Sequence, residues 1–173
     1  AERFGAEFQA ANVESVDLTK KPFEVTVGGT IYLARSIIIA TGAVTTWLEA
    51  PGVKELIGRG VSSCAPCDAP FFRDKKVAVV GGGDSAMEEA SILTKYASEV
   101  TIIHRRSEFK ASAAMQEKVK GNPKIKILWN TEVTKVNGEG KVESLDLINK
   151  LTNQPGQLAV DGLFVAIGHK PAS

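Results

Sequence analysis

Cysteine is scarce in this chain. Its 173 residues hold only Cys64 and Cys67, close neighbours in sequence. A bridge between such neighbours closes a tiny loop and constrains the unfolded chain little, so a disulfide framework is excluded as the source of the fold. There is no second cysteine pair to complete a four-cysteine zinc site. His104 and His169 lack the paired spacing of a zinc finger, and no metal is expected. No apolar run approaches the ~20 residues that span a bilayer, so no membrane partner is expected. The first residues, Ala1-Glu2-Arg3-Phe4-Gly5, show neither an initiator Met nor the basic and apolar regions of a signal peptide. An excess of one charge is missing too. Lys and Arg total 21 against 20 Asp and Glu, so nothing in the overall balance calls for a nucleic acid. Internal repeats and low-complexity tracts are absent. What remains, at 43% hydrophobic and 24% charged residues, is the composition of a soluble globular protein of one or two domains.

What is present is concentrated in two adjacent motifs. Cys64-Ala65-Pro66-Cys67-Asp68 is a C-x-x-C pair, whose context can lower a thiol pKa and make the two sulfurs exchangeable. A redox dithiol suits a reducing compartment, so the cytoplasm is expected. Asp68 is placed to relay a proton to a leaving thiolate or to a cofactor. Close behind lies Val77-Ala78-Val79-Val80-Gly81-Gly82-Gly83-Asp84-Ser85-Ala86, an apolar strand running into G-x-G-x-x-A. In that pattern Gly81 makes the strand-to-helix turn and Gly83 lets a phosphate approach the backbone. The small Ala86 lets the helix pack close to the sheet. Free N–H groups at the helix start then attract a pyrophosphate.

The surrounding pattern supports a nucleotide unit. Ala86, Ala90, Leu93 and Ala97 recur at helical spacing, and residues 100–103 form a second apolar strand. Together they make a β-α-β unit of the usual length. At the end of that second strand an NAD site places an acidic residue that accepts from the ribose 2′-OH. This chain has His104-Arg105-Arg106 there, with Lys110 close behind. Guanidinium groups bind a 2′-phosphate through charge-assisted hydrogen bonds, whereas a carboxylate would repel it. NADPH is therefore the expected nucleotide.

Elsewhere, residues 6–13 and 23–27 alternate apolar with polar, and Gly28-Gly29 signals a hairpin. The run 31–40 is almost wholly apolar and reads as a buried strand ending at Thr41-Gly42. Pro51-Gly52 and the glycines at 58 and 60 mark a junction between domains. Residues 111–120 read as a helix and 125–129 as a further parallel strand. Residues 133–136 and 142–148 form an inserted meander. A turn is expected at 153–156 and a last apolar strand at 163–167.

The chain resembles the low-molecular-weight, flavin-dependent thioredoxin reductases through four blocks in the family's order. These are Gly60-Val61-Ser62-Ser63-Cys64-Ala65-Pro66-Cys67-Asp68, Val79 through Ala90, Ile103-His104-Arg105-Arg106, and Gly162-Leu163-Phe164-Val165-Ala166-Ile167-Gly168-His169. The resemblance implies an NADPH-dependent thioredoxin-disulfide reductase with FAD as relay, thioredoxin as partner, and a homodimer. It implies that Cys67 faces the flavin, that Cys64 attacks thioredoxin and that Asp68 donates a proton. It places Gly81, Gly83, Asp84, Ser85, Glu88, His104, Arg105, Arg106, Lys110, Ile167 and Gly168 around the nucleotide, and Thr41 and Gly42 in a turn beside the flavin.

Two substitutions depart from the family's pattern: Pro66 stands where a small or hydroxylated residue is common, and Lys110 where arginine is common. The earlier glycine fingerprint for FAD and the late Gly-Asp segment are not in these residues. The expected organisation is α/β: a Rossmann-like NADPH domain at 49–163 carrying the C-x-x-C, flanked by incomplete parts of a second Rossmann-like, FAD-binding domain at 1–48 and 164–173. On this reading the chain is the middle of a longer protein, inactive by itself. Two other readings fit less of the sequence. A peroxiredoxin-reducing flavoprotein would place an acid where Arg105-Arg106 stand, and a non-catalytic NADP-binding redox module leaves the flavin resemblance unused.

Overall fold

The computed structural model describes residues 1–172, which form two compact units, 1–42 and 43–172. The first unit carries an antiparallel sheet of β1 (Val13–Asp17), β2 (Phe23–Val27) and β3 (Thr30–Ala34). The β2–β3 turn pairs Val27 with Thr30, so Gly28 and Gly29 are its two central residues. Both have positive φ, 57° and 74°, which is what a two-residue turn matching the strand twist demands. The expected strand over 31–40 stops at Ala34. Beyond it the backbone is irregular, and Ile38 and Ile39 are 92% and 67% exposed. An apolar run becomes a buried strand only when neighbouring elements pair with it and cover it. Within this unit residues 35–40 join none of the described strands. Residues 6–12 likewise lie outside any strand despite their alternation.

The second unit opens with β4 (Ala43–Thr45) and β5 (Val61–Ser62), then α1 (Ala65–Asp68) and a 3-10 turn over Ala69–Phe72. The nucleotide motif follows as β6 (Lys76–Gly81), α2 (Asp84–Leu93) and β7 (Glu99–Ile103). Then come α3 (Ala113–Lys120), β8 (Ile125–Leu128), β9 (Thr131–Asn137), β10 (Ser144–Asn149), β11 (Pro155–Ala159), β12 (Gly162–Ala166) and β13 (His169–Pro171). Five of these strands form one parallel sheet in the order β5-β12-β6-β7-β8.

Period-2 alternation sorts the strand residues between two cores. Val77 and Val79 of β6 pack with Ala86, Met87, Ala90 and Leu93 of α2 and with Val119 of α3. Ala78 and Val80, next to them in sequence, pack with Val133, Val136, Leu145 and Leu147 of the meander β9-β10-β11. The parallel sheet is thus covered on both faces, as its near-continuous apolar strands require. All four expected contact positions of the nucleotide helix, Ala86, Ala90, Leu93 and Ala97, are fully buried.

The meander has a third strand where a turn was expected. Pro155 and Gly156 begin β11, opposite Ile148 and Leu147, at the edge of the sheet, where proline is tolerated. The reversal lies just before them. There Asn149 Oδ1 accepts the N–H groups of Leu151 and Thr152, and Asn153 takes φ 56°. The short pair β4–β13, with His169 opposite Thr45, left no periodic trace in the sequence.

Phe164 anchors the helix-side core. It is fully buried in β12, with its ring edge-on to Phe72 at 5.2 Å between centroids. Phe164→Ala is expected to cost ~3–5 kcal/mol, through lost transfer energy and the cavity left behind. Urea unfolding of the two proteins measures it; a loss near zero would mean that the core collapses around the gap.

Candidate nucleotide and dithiol sites

The carboxyl ends of β6, β7 and β12 open into a cavity of about 690 Å³. A parallel sheet presents its ligand crevice at this end. Gly81 closes the turn at φ 155°, and a Cβ there would meet the Ala166 carbonyl oxygen at 2.3 Å and the Ala86 Cβ at 2.8 Å. Gly83, by contrast, has open space where its side chain would be. No side chain caps the start of α2, which leaves its first-turn N–H groups to an anion. A bare backbone turn beside open space fits a pyrophosphate.

Of the residues the sequence pointed to, Gly81, Gly83, Ser85, His104, Arg105, Arg106, Lys110, Ile167 and Gly168 line this cavity. Arg105, Arg106 and Lys110 are exposed and form no ion pair among the described residues. Asp84 and Glu88 lie outside the lining, both on the exposed side of α2. Asp84 is otherwise engaged: its Oδ1 accepts the Ser112 N–H at 2.7 Å. Glu49, Thr131 and Glu132 belong to no motif, yet they also line the cavity. Glu132 is neutralised by Lys150 Nζ at 3.0 Å.

His104 is 8% exposed. Burial pushes its imidazole below the ordinary value of 6.5, and the Arg106 and Arg105 charges push the same way, against the carbonyls of Glu108 and Gly81. The folded chain therefore binds this proton more weakly than the unfolded chain does. The stability linked to His104 is complete above 6.5 and is lost as pH falls below that value toward the lower one of the folded chain. His104→Gln should lose less stability than the unaltered chain on going from about pH 7.5 to about pH 5.5. Urea midpoints at the two pH values give the comparison, and parallel losses would remove His104 from the pH dependence.

The dithiol lies on the short α1. Cys64 and Cys67 form a disulfide with Cα atoms 5.3 Å apart. Cys64 is the N-cap residue and Pro66 sits in the first turn, where a missing N–H costs nothing. Cys67 is exposed and Cys64 partly covered. Neither cysteine lines the cavity. The Cys64 N–H donates to Ser62 Oγ at 3.1 Å, and that hydroxyl, on a buried residue, donates to Asp68 Oδ2 at 2.5 Å. The Asp68 backbone N–H returns to the Cys64 carbonyl. Cysteine and candidate proton donor are therefore held in one closed circuit.

A second carboxylate reaches the same helix from α2. Glu89 accepts the Ala65 N–H at 2.7 Å. Burial pushes the Glu89 carboxyl above the ordinary carboxylate value. The Ala65 N–H opposes this, Glu88 and Asp68 add to it, and His169 opposes it. Neither Ser62 nor Glu89 stood out in the sequence; for Glu89 the reason is that a side chain bonding a backbone 24 positions away leaves no local pattern. Thr41 and Gly42 are exposed, Gly42 with φ 79°, and these two residues alone provide no cradle for a flavin. Among the described residues no His, Cys, Asp or Glu cluster could hold a metal ion. Among the described residues no helix is long and apolar enough to cross a membrane.

A crevice at the carboxyl end of a parallel sheet and a cysteine disulfide thus lie on one α/β unit. The chain belongs to the pyridine nucleotide-disulphide oxidoreductase family, which it matches over residues 2–173. Within that family it is similar to thioredoxin reductases. It is 50% identical over 173 residues to the bifunctional thioredoxin reductase/thioredoxin of Mycobacterium leprae, covering 99% of this chain and 38% of that protein. It is 48% identical over 172 residues to the thioredoxin reductase of Streptomyces coelicolor, covering 99% and 53%. Among solved structures, thioredoxin reductase from Giardia duodenalis superposes with a TM-score of 0.85 at 40% identity, covering 97% of this chain and 55% of that one. The chain thus spans between about a third and a little over half of the length of these relatives.

Proposed function

We propose that this chain is the nucleotide-binding, dithiol-carrying part of an NADPH-dependent thioredoxin-disulfide reductase. The observation that carries the reading is that α2 connects the two sites. Gly81–Gly83 and the arginines border the nucleotide cavity at one end of α2, while Glu89 of the same helix holds the first turn of the dithiol helix. On this reading the NADPH domain expected at 49–163 runs on through Phe164–Ala166, which complete β12 of its sheet, and residues 1–48 and those after β12 belong to an FAD-binding domain, with Thr41 and Gly42 beside the flavin. FAD, when bound, supplies the two-electron relay between nicotinamide and disulfide. A homodimer and a cytoplasmic location complete the proposal.

This chain's residues would carry the final exchange. In the reduced state the Cys64 thiolate attacks a sulfur of the thioredoxin disulfide, forming a mixed disulfide and releasing one thioredoxin thiolate. Cys67 then attacks Cys64 Sγ, which releases the second thiolate and restores the Cys64–Cys67 bond. Asp68, tied to Cys64 through Ser62, would in its protonated form deliver a proton to a leaving thiolate. Two thiols are oxidised and one disulfide is reduced.

The exchange can be tested on the chain itself. Reduced with dithiothreitol, freed of it and mixed with oxidised thioredoxin, it should yield thioredoxin thiols while its own pair closes, as counted by alkylation and mass. If the pair closes with a small disulfide but leaves thioredoxin oxidised, the partner assignment fails.

A further inference from the structure

His104 stands where the sequence suggests a ligand for the nucleotide, yet its ring is turned to a different task. It is almost wholly buried against the packed pair Phe109 and Trp129, at 5.5 and 6.1 Å between centroids. Its Nε2–H is taken by the Glu108 carbonyl at 2.9 Å. The ring fills the space that a side chain at position 82 would need. A Cβ built on Gly82 would lie 2.2 Å from its Cε1 and 2.3 Å from its Nδ1. The Gly82 carbonyl meanwhile accepts the N–H groups of Lys110 and Ala111, at 2.8 and 3.1 Å. Beyond these, the Ser112 N–H closes on Asp84 at the start of α2. The segment bearing Arg105, Arg106 and Lys110 is therefore folded back onto the glycine turn and fastened there.

We propose that His104 is a positioning residue that locks the arginine-bearing segment to the glycine turn and so sets the preference for a 2′-phosphorylated nucleotide. The inference rests on the NADPH reading above, and it assigns His104 a role through its neighbours in place of direct contact with the phosphate. Anchoring matters because exposed arginines must otherwise be ordered by the ligand itself, and each immobilised long side chain draws on the binding energy. With Glu108 and Gly82 held by one ring, the pyrophosphate turn and the phosphate-binding side chains keep a fixed spacing. A dinucleotide presents its phosphates at a fixed spacing too.

The two polar replacements of His104 separate this role from others. Glutamine carries its amide N–H near the position of Nε2 and can still donate to the Glu108 carbonyl. Asparagine is too short to do so. Both are uncharged. Calorimetric titration of the 173-residue chain with NADPH and with NADH, alongside thermal melts, gives the preference for each variant. His104→Asn is expected to lose about tenfold of the NADPH-over-NADH preference with both arginines in place, whereas His104→Gln keeps it within about threefold. A general loss of stability would lower the melting temperature without changing the ratio of the two affinities. Equal damage from Gln and Asn would overturn the proposal in favour of a direct contact by the imidazole. Full preference in both would overturn it by showing that the anchor is idle. If the unaltered chain bound NADPH and NADH equally, the cofactor reading would fall and this inference with it.

Discussion

Replacing Arg105 and Arg106 together with glutamine is expected to weaken NADPH binding by more than tenfold and to leave NADH binding unchanged. Each charge-assisted contact to a phosphate is worth about 1.5–3 kcal/mol, and ~1.4 kcal/mol is already tenfold. Both side chains reach the cavity from the end of β7. No carboxylate among the described residues pairs with either, so both charges are available to a ligand. Two acids on the same cavity work against a phosphate, Glu49 and Glu132. The second is offset by Lys150, and neither stands at the end of β7, where a ribose-binding acid belongs. The cations should therefore prevail. Titrating the double variant with both nucleotides decides it: equal losses would mean that the arginines shape the cavity and do not read the 2′-phosphate.

Loss of either sulfur should have the largest effect of all on catalysis. In a flavin-loaded protein containing this chain, Cys64→Ser and Cys67→Ser are each expected to abolish thioredoxin reduction, because one remaining thiol can form a mixed disulfide but cannot complete the exchange. The same variants should bind NADPH as the unaltered chain does, within about twofold, since neither cysteine contributes to the wall of the nucleotide cavity. Turnover assays with thioredoxin and titrations with NADPH test the two halves separately. Thioredoxin reduction retained by either serine variant would reject the dithiol route.

Local chemistry was legible in the sequence and long-range pairing was not. Gly81–Gly83, the apolar face of α2 and the arginines after β7 are all short-range patterns, and the fold gathers most of them around one cavity. Gly28-Gly29 fixed its hairpin for the same reason. The failures share a different cause. Residues 31–40 met every local criterion of a buried strand, but burial depends on what lies opposite, and Ile38 and Ile39 face solvent. Pro155 and Gly156 looked like a turn until Asn149 and Asn153 placed the reversal a few residues earlier. Glu89 was invisible because its partner is set by tertiary contact, and Ser62 because a lone serine two residues before a cysteine is no motif.

The way the segment from His104 to Ser112 is fastened has a bearing on how such proteins can change. Its ends are held by the His104 N–H on the Leu128 carbonyl and the Ser112 N–H on Asp84 Oδ1, and Phe109 and Ala111 tie its interior to the core, so only the exposed Arg105, Arg106 and Lys110 are left to answer to the ligand. The dithiol helix hangs from a different point of α2, at Glu89. Selection, or an engineer, can therefore rewrite coenzyme choice as a cassette of a few consecutive positions while the thiol chemistry is inherited untouched.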